Sequence, residues 1–230
     1  MDNRLLIAVV IGWIMSVCLH EYAHALTAYW AGDRTVRDRG YLSMNPLSYV
    51  DPVYSLVLPA IILLIGGIPL PGGAVLIDRS AFRMKWQASL VSAAGPVMNI
   101  VLFLVLAGVI HPKLGLIESG LVETWPVWAV FAGAMAFLQV FAVLLNLIPI
   151  PPLDGFNVVE PYLKPSTRER IMHSPLSSMG FFIIFAAFMF IPQVSRLFYQ
   201  VIFAVFAFVG VPPHVPYSCY RLALFGQASG

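Results

Sequence analysis

Long apolar runs separated by short polar breaks set the rhythm of the chain. Residues 5–31, 88–110 and 126–148 are each apolar over the roughly 20 residues that a helix needs to cross hydrocarbon. Two shorter runs, 176–191 and 197–210, flank a break around Pro192 and Arg196 and read as a closing helical hairpin. Residues 51–78 differ, because Pro52, Pro59, Pro69 and Pro71 and the pairs Gly66, Gly67 and Gly72, Gly73 exclude one continuous helix. After that last glycine pair, 74–77 carries β-branched Val75 and Ile77 and predicts a short extended segment. The pattern predicts an all-α polytopic membrane protein with about five full or near-full transmembrane helices. To these it adds one Gly/Pro-rich segment with a short β-hairpin. A single membrane-embedded domain is expected over 1–210, with a core at about 5–157, the closing hairpin at about 176–210 and a C-terminal tail at 211–230.

Composition strengthens the membrane reading. Sixty per cent of the 230 residues are hydrophobic and 10% are charged, and the mean hydropathy is +0.85, well outside the range of a water-soluble globule. The net charge is +2 and the 13 basic residues are scattered, which argues against a nucleic-acid partner. The two cysteines, Cys18 and Cys219, imply no disulfide framework.

Ionisable groups interrupt the first apolar run. His20-Glu21-Tyr22-Ala23-His24 has the form H-E-x-x-H, and residues four apart on a helix project from one face. Both imidazoles can therefore reach one Zn²⁺, with the adjacent glutamate placed to take a proton from a metal-activated water. Cys18, half a turn away, is poorly placed as a further ligand. Two other readings exist. Residues 1–25 have the outline of a cleaved signal, with Ala23-His24-Ala25 as an A-x-A site, but the apolar run continues to Ala31. A purely packing role, with the histidines hydrogen-bonded to neighbouring helices, leaves Glu21 unexplained.

Two histidines leave a zinc ion short of a third protein ligand. Asp154, in Asn146-Leu-Ile-Pro-Ile-Pro-Pro-Leu-Asp-Gly155, lies where the prolines must end a helix. Metal ligand and plain turn both fit Asp154 on sequence alone.

Taken together, H-E-x-x-H in the first run, Ser-Ala-Ala-Gly-Pro-Val-Met-Asn at 92–99 and Asn146-x-x-Pro-x-Pro-x-Leu-Asp154-Gly resemble the site-2 protease family of intramembrane zinc metalloproteases. Leu-Ser-Met-Asn-Pro-Leu-Ser-Tyr-Val-Asp-Pro at 42–52, followed by the Gly/Pro-rich run, resembles its compact branch without a PDZ or nucleotide-binding module. The resemblance implies one zinc ion per chain, held by His20, His24 and Asp154, with Glu21 as the catalytic base. It implies that Asn146 assists the reaction and that Asn99 matches an asparagine on the substrate-binding side. It also implies single-span membrane proteins as substrates. Serine and aspartyl intramembrane proteases are excluded, since neither G-x-S-G nor G-x-G-D occurs.

If His20 and Asp154 share one ion, the first and fourth apolar segments run the same way across the bilayer. Residues 51–78 must then enter and return as a re-entrant segment. Charge agrees with this. With the amino terminus outside, Arg34, Arg37, Arg39, Arg79, Arg83, Lys85, Lys164, Arg168, Arg170 and Arg221, ten of 13 basic residues, lie on the cytoplasmic side with the zinc. A full crossing would split them eight to five. The returning edge, with Gly73, Ala74, Val75 and Leu76, is expected to bind an unwound substrate by strand addition. A metal-binding transporter or a catalytically silent membrane adaptor is the alternative. A transporter calls for more intramembrane carboxylates or histidines than His111, His173 and His214 near the span ends, and a silent adaptor has no use for Glu21.

Overall fold

The computed structural model describes residues 3–43, 75–117 and 121–226. Nine α-helices are present among them: α1 (Asn3–Ala31), α2 (Thr35–Asp38), α3 (Lys85–Val109), α4 (Val127–Asn146), α5 (Asp154–Val159), α6 (Pro165–Met172), α7 (Pro175–Phe190), α8 (Pro192–Phe208) and α9 (His214–Phe225).

Three helices, α1, α3 and α4, are long and apolar enough to cross a membrane. The other two of the expected five are not confirmed. The closing pair has the predicted hairpin order, but α7 and α8 are 16 and 17 residues long, about 25 Å at 1.5 Å per residue, because Ile191 and Pro192 break the run between them. The expected β-hairpin is likewise not confirmed: no strand occurs among the described residues. Residues 75–78 form no ladder, and the rest of the Gly/Pro-rich segment, with Gly73 and Ala74, lies outside the described residues.

α4 is the central helix. It is buried over 78% of its apolar window, against 50% for α1 and 39% for α3. α1 and α3 pack on it and on each other, and each leaves an apolar stripe outward: Ile7, Ile11 and Met15 on α1, and Val97, Val101 and Leu104 on α3. Such stripes suit lipid, where outward-facing residues need not be polar.

Within the expected C-terminal tail, residues His214–Phe225 are helical. Helix α9 lies on α4, where Gly133 leaves the space that Cys219 fills. Phe137 stacks on Tyr220 with ring centroids 4.7 Å apart, and Cys219, Tyr220, Ala223 and Leu224 are buried.

Contacts between helix ends give the relative directions. Gly12 in the first half of α1 faces Phe131 and Met135 in the first half of α4, and His20 further along α1 meets Asp154 just past the end of α4, so these helices run parallel. At the opposite end, Gln87 at the start of α3 donates from Nε2 to the Ala31 carbonyl that ends α1, at 3.3 Å. The chain therefore leaves α1 and re-enters α3 at the same end of the bundle. Ser89 donates to the Val158 carbonyl at 2.7 Å, which brings α5 to that end too.

Candidate metal centre

α1 carries His20, Glu21 and His24 into the interior, each 5–6% exposed. The helical i, i+4 spacing sets the two imidazoles edge to face, with centroids 4.7 Å apart and planes at 79°. Their Nε2 atoms are 3.1 Å apart.

Asp154 closes the group. α4 ends at Asn146, the proline-rich turn reverses the chain, and Leu153 in extended conformation starts α5 with Asp154 as its first residue. Gly155 permits the tight reversal, because a Cβ there would overlap the Leu147 carbonyl. Asp154 Oδ2 lies 3.1 Å from His20 Nε2, and Oδ1 lies 3.3 Å from His24 Nε2. The three donor atoms fall within 4.8 Å of one another.

The far sides of the rings decide what this group fits. His24 Nδ1 lies 2.7 Å from the Val91 carbonyl oxygen, a pure acceptor, and His20 Nδ1 lies 3.3 Å from Asn99 Oδ1. A neutral ring that donates from Nδ1 presents a lone pair at Nε2. Two such lone pairs and a carboxylate then converge with no proton between them, an arrangement that repels itself unless a cation sits at its centre. Ligands fixed from behind by an amide and a carbonyl are also the usual second layer of a metal site. Gly95 keeps the centre open: a Cβ there would press against Nε2 of both histidines. Two nitrogens and one carboxylate oxygen form a donor set suited to Zn²⁺.

Glu21, between the two histidines in sequence, stays outside the ligand group and receives the backbone N–H of Val75. Asn146 is buried at the C-terminal end of α4, and its Nδ2 has no partner among the described residues. Asn99, expected on the substrate side, touches His20. Leu76 is 63% exposed, and its carbonyl accepts from Arg39. Two contributors escaped the sequence reading. Gly95 was visible only as part of a motif, and Val91 acts through its main chain, which leaves no signature in residue type.

The chain matches the family model "Peptidase family M50" over residues 8–191. A relative from Mycolicibacterium smegmatis, provisionally named zinc metalloprotease Rip2, is 40% identical over 226 residues, covering 96% of this chain and 82% of its own. The Mycobacterium tuberculosis H37Rv protein of the same name is 38% identical over 222 residues, covering 96% and 78%. A Bacillus subtilis protein provisionally named zinc metalloprotease YwhC is 31% identical over 191 residues, covering 78% of each chain. No solved structure matches significantly.

Proposed function

The chain belongs to peptidase family M50, the site-2 protease family, and from that membership we propose that it is a zinc metalloprotease cutting peptide bonds within the transmembrane segments of single-span membrane proteins. The observation that carries this reading is the buried convergence of His20, His24 and Asp154 among helices long enough to span a bilayer. Ionisable groups at such depth are expensive and mark function.

His20 and His24 through Nε2, and Asp154 through its carboxylate, would hold the ion. When bound, zinc supplies Lewis acidity that polarises the scissile carbonyl and makes water nucleophilic at neutral pH. Glu21 takes the proton of the attacking water and passes it to the departing amine. Asn146, whose buried Nδ2 has no partner among the described residues, donates to the oxygen on which negative charge develops. Asn99 and the Val91 carbonyl hold the two rings in the tautomer that the ion requires.

The substrate helix must unwind before its peptide bonds can react. The segment from Gly73 through Ala74 and Val75 to Leu76 would replace the lost hydrogen bonds by strand addition. Proximity of the Val75 N–H to Glu21 supports this placement. The amino terminus lies outside the cell membrane and the zinc towards the cytoplasmic face, as the distribution of basic residues favours.

The test is to reconstitute the zinc-loaded protein in vesicles with labelled single-span substrates. Products cut within the span, absent when a chelator is added, are expected. Zinc-loaded protein that cleaves no member of a broad substrate panel would favour the transporter or adaptor reading.

A further inference from the structure

A five-residue strap, 75–79, passes between the end of α1 and the catalytic glutamate. Side chains alternate along it, Val75 and Ile77 half-buried and Leu76 and Asp78 exposed, which marks an extended run. In an extended chain, the main-chain groups of alternate residues point to opposite edges. The Leu76 carbonyl accepts from Arg39 Nη1 at 2.7 Å, and the Asp78 N–H donates to Asp33 Oδ2 at 2.7 Å. Residues 76 and 78 therefore turn one edge towards the end of α1. Val75, one position out of phase, turns its N–H to Glu21.

Asp33 is the anchor of this arrangement. It is fully buried, at 0% exposure. Its Oδ1 accepts from the Thr35 N–H at 2.9 Å and the Thr35 hydroxyl at 2.7 Å, which holds the start of α2. Its Oδ2 takes the strap. Gly32 makes the site possible: its φ of +124° ends α1, and a Cβ there would stand 3.0 Å from the Ala81 carbonyl. At the end of the strap, Arg79 binds the buried Glu160 and donates to Asn157 Oδ1 at 3.0 Å. That second tether joins the strap to α5, the helix that Asp154 begins.

We infer that Asp33 is a positioning residue for the cleavage reaction: its buried carboxylate locks the 76/78 edge of the strap, so that the opposite 75/77 edge faces Glu21 and the substrate. The inference rests on the protease reading for its kinetic consequence, but its structural content stands apart from any activity.

Two variants approach the bond from opposite ends. Asp33→Asn keeps one acceptor oxygen and so cannot serve Thr35 and Asp78 together. Asp78→Pro deletes the donor at a φ of −82°, close to what proline prefers, and Asp78→Ala is its reference because both lose the side chain. A spin label at the exposed Leu76→Cys, the two native cysteines being buried, reports strap mobility in zinc-loaded protein. We expect label motion to increase in Asp33→Asn, and in Asp78→Pro relative to Asp78→Ala, with zinc still at one per chain. Where substrate is cleaved, kcat should fall on the order of tenfold or more, the scale for a misplaced catalytic group. The double variant Asp33→Asn/Asp78→Pro should be no worse than the more severe single one, since both break the same bond. Unchanged label motion in both variants would overturn the inference. Loss of zinc would also overturn it, by making Asp33 a support of the metal centre. A wild-type protein that cleaves nothing would defeat the proposed function, while the label would still decide the strap.

Discussion

His20 and Asn99 lie 79 residues apart in sequence and meet with Nδ1 3.3 Å from Oδ1. Asn99 thereby fixes the ring that presents Nε2 to Asp154. Removing such a partner typically costs 10- to 100-fold in metal affinity or activity. Asn99→Ala should weaken zinc binding by about that range, measured by competition with a chromophoric chelator, whereas Asn99→Asp keeps an acceptor and should lose less. Wild-type affinity in Asn99→Ala would remove the residue from the centre.

Gly95 faces both imidazoles at closer range than any side chain allows. Gly95→Ala should therefore abolish stoichiometric zinc while leaving helix content intact, as metal analysis and circular dichroism would show. Full zinc occupancy in this variant would mean that α3 can retreat from α1, and would refute the close approach.

Gln139 is completely buried in α4, and neither amide atom has a partner among the described residues. Burying unpaired polar atoms is destabilising, and an apolar replacement of similar size removes that cost. Gln139→Leu should stabilise the protein by about 1–3 kcal/mol, seen as a higher Tm in detergent with zinc content unchanged. A lower Tm would indicate that the amide holds an ordered water.

The end of α1 and the start of α3 touch through Gln87 and Ala31. Single cysteines at the exposed positions Arg37 and Arg83 should then be labelled by a membrane-impermeant reagent from the same side of the vesicle. Labelling from opposite sides would contradict the parallel packing of α1 and α4.

How much was legible follows from the range of each interaction. His20, Glu21 and His24 could be read because four residues make about one helical turn, so the site is local. Asp154 needed a motif, since nothing in Leu-Asp-Gly distinguishes a ligand from a turn. The long helices were plain from hydropathy. The closing pair was read as spans although a break near Ile191 and Pro192 leaves each helix short. α9 was missed because Pro212, Pro213 and Pro216 interrupt its surroundings and its buried residues Cys219, Tyr220, Ala223 and Leu224 form too brief a pattern. The alternation at Val75 and Ile77 suggested a strand, and among the described residues that chain is held by Asp33 and Arg39. Those bonds span 45 and 37 residues, and no local pattern announces them.

The most direct test of the account changes one oxygen. Glu21→Gln removes the base and leaves His20, His24 and Asp154 in place, so the purified variant should bind one zinc per chain, as the wild type does. General-base removal typically costs 10²- to 10⁴-fold, and cleavage of a reconstituted single-span substrate should fall at least that far. Zinc-loaded Glu21→Gln that cleaves at the wild-type rate would contradict the account.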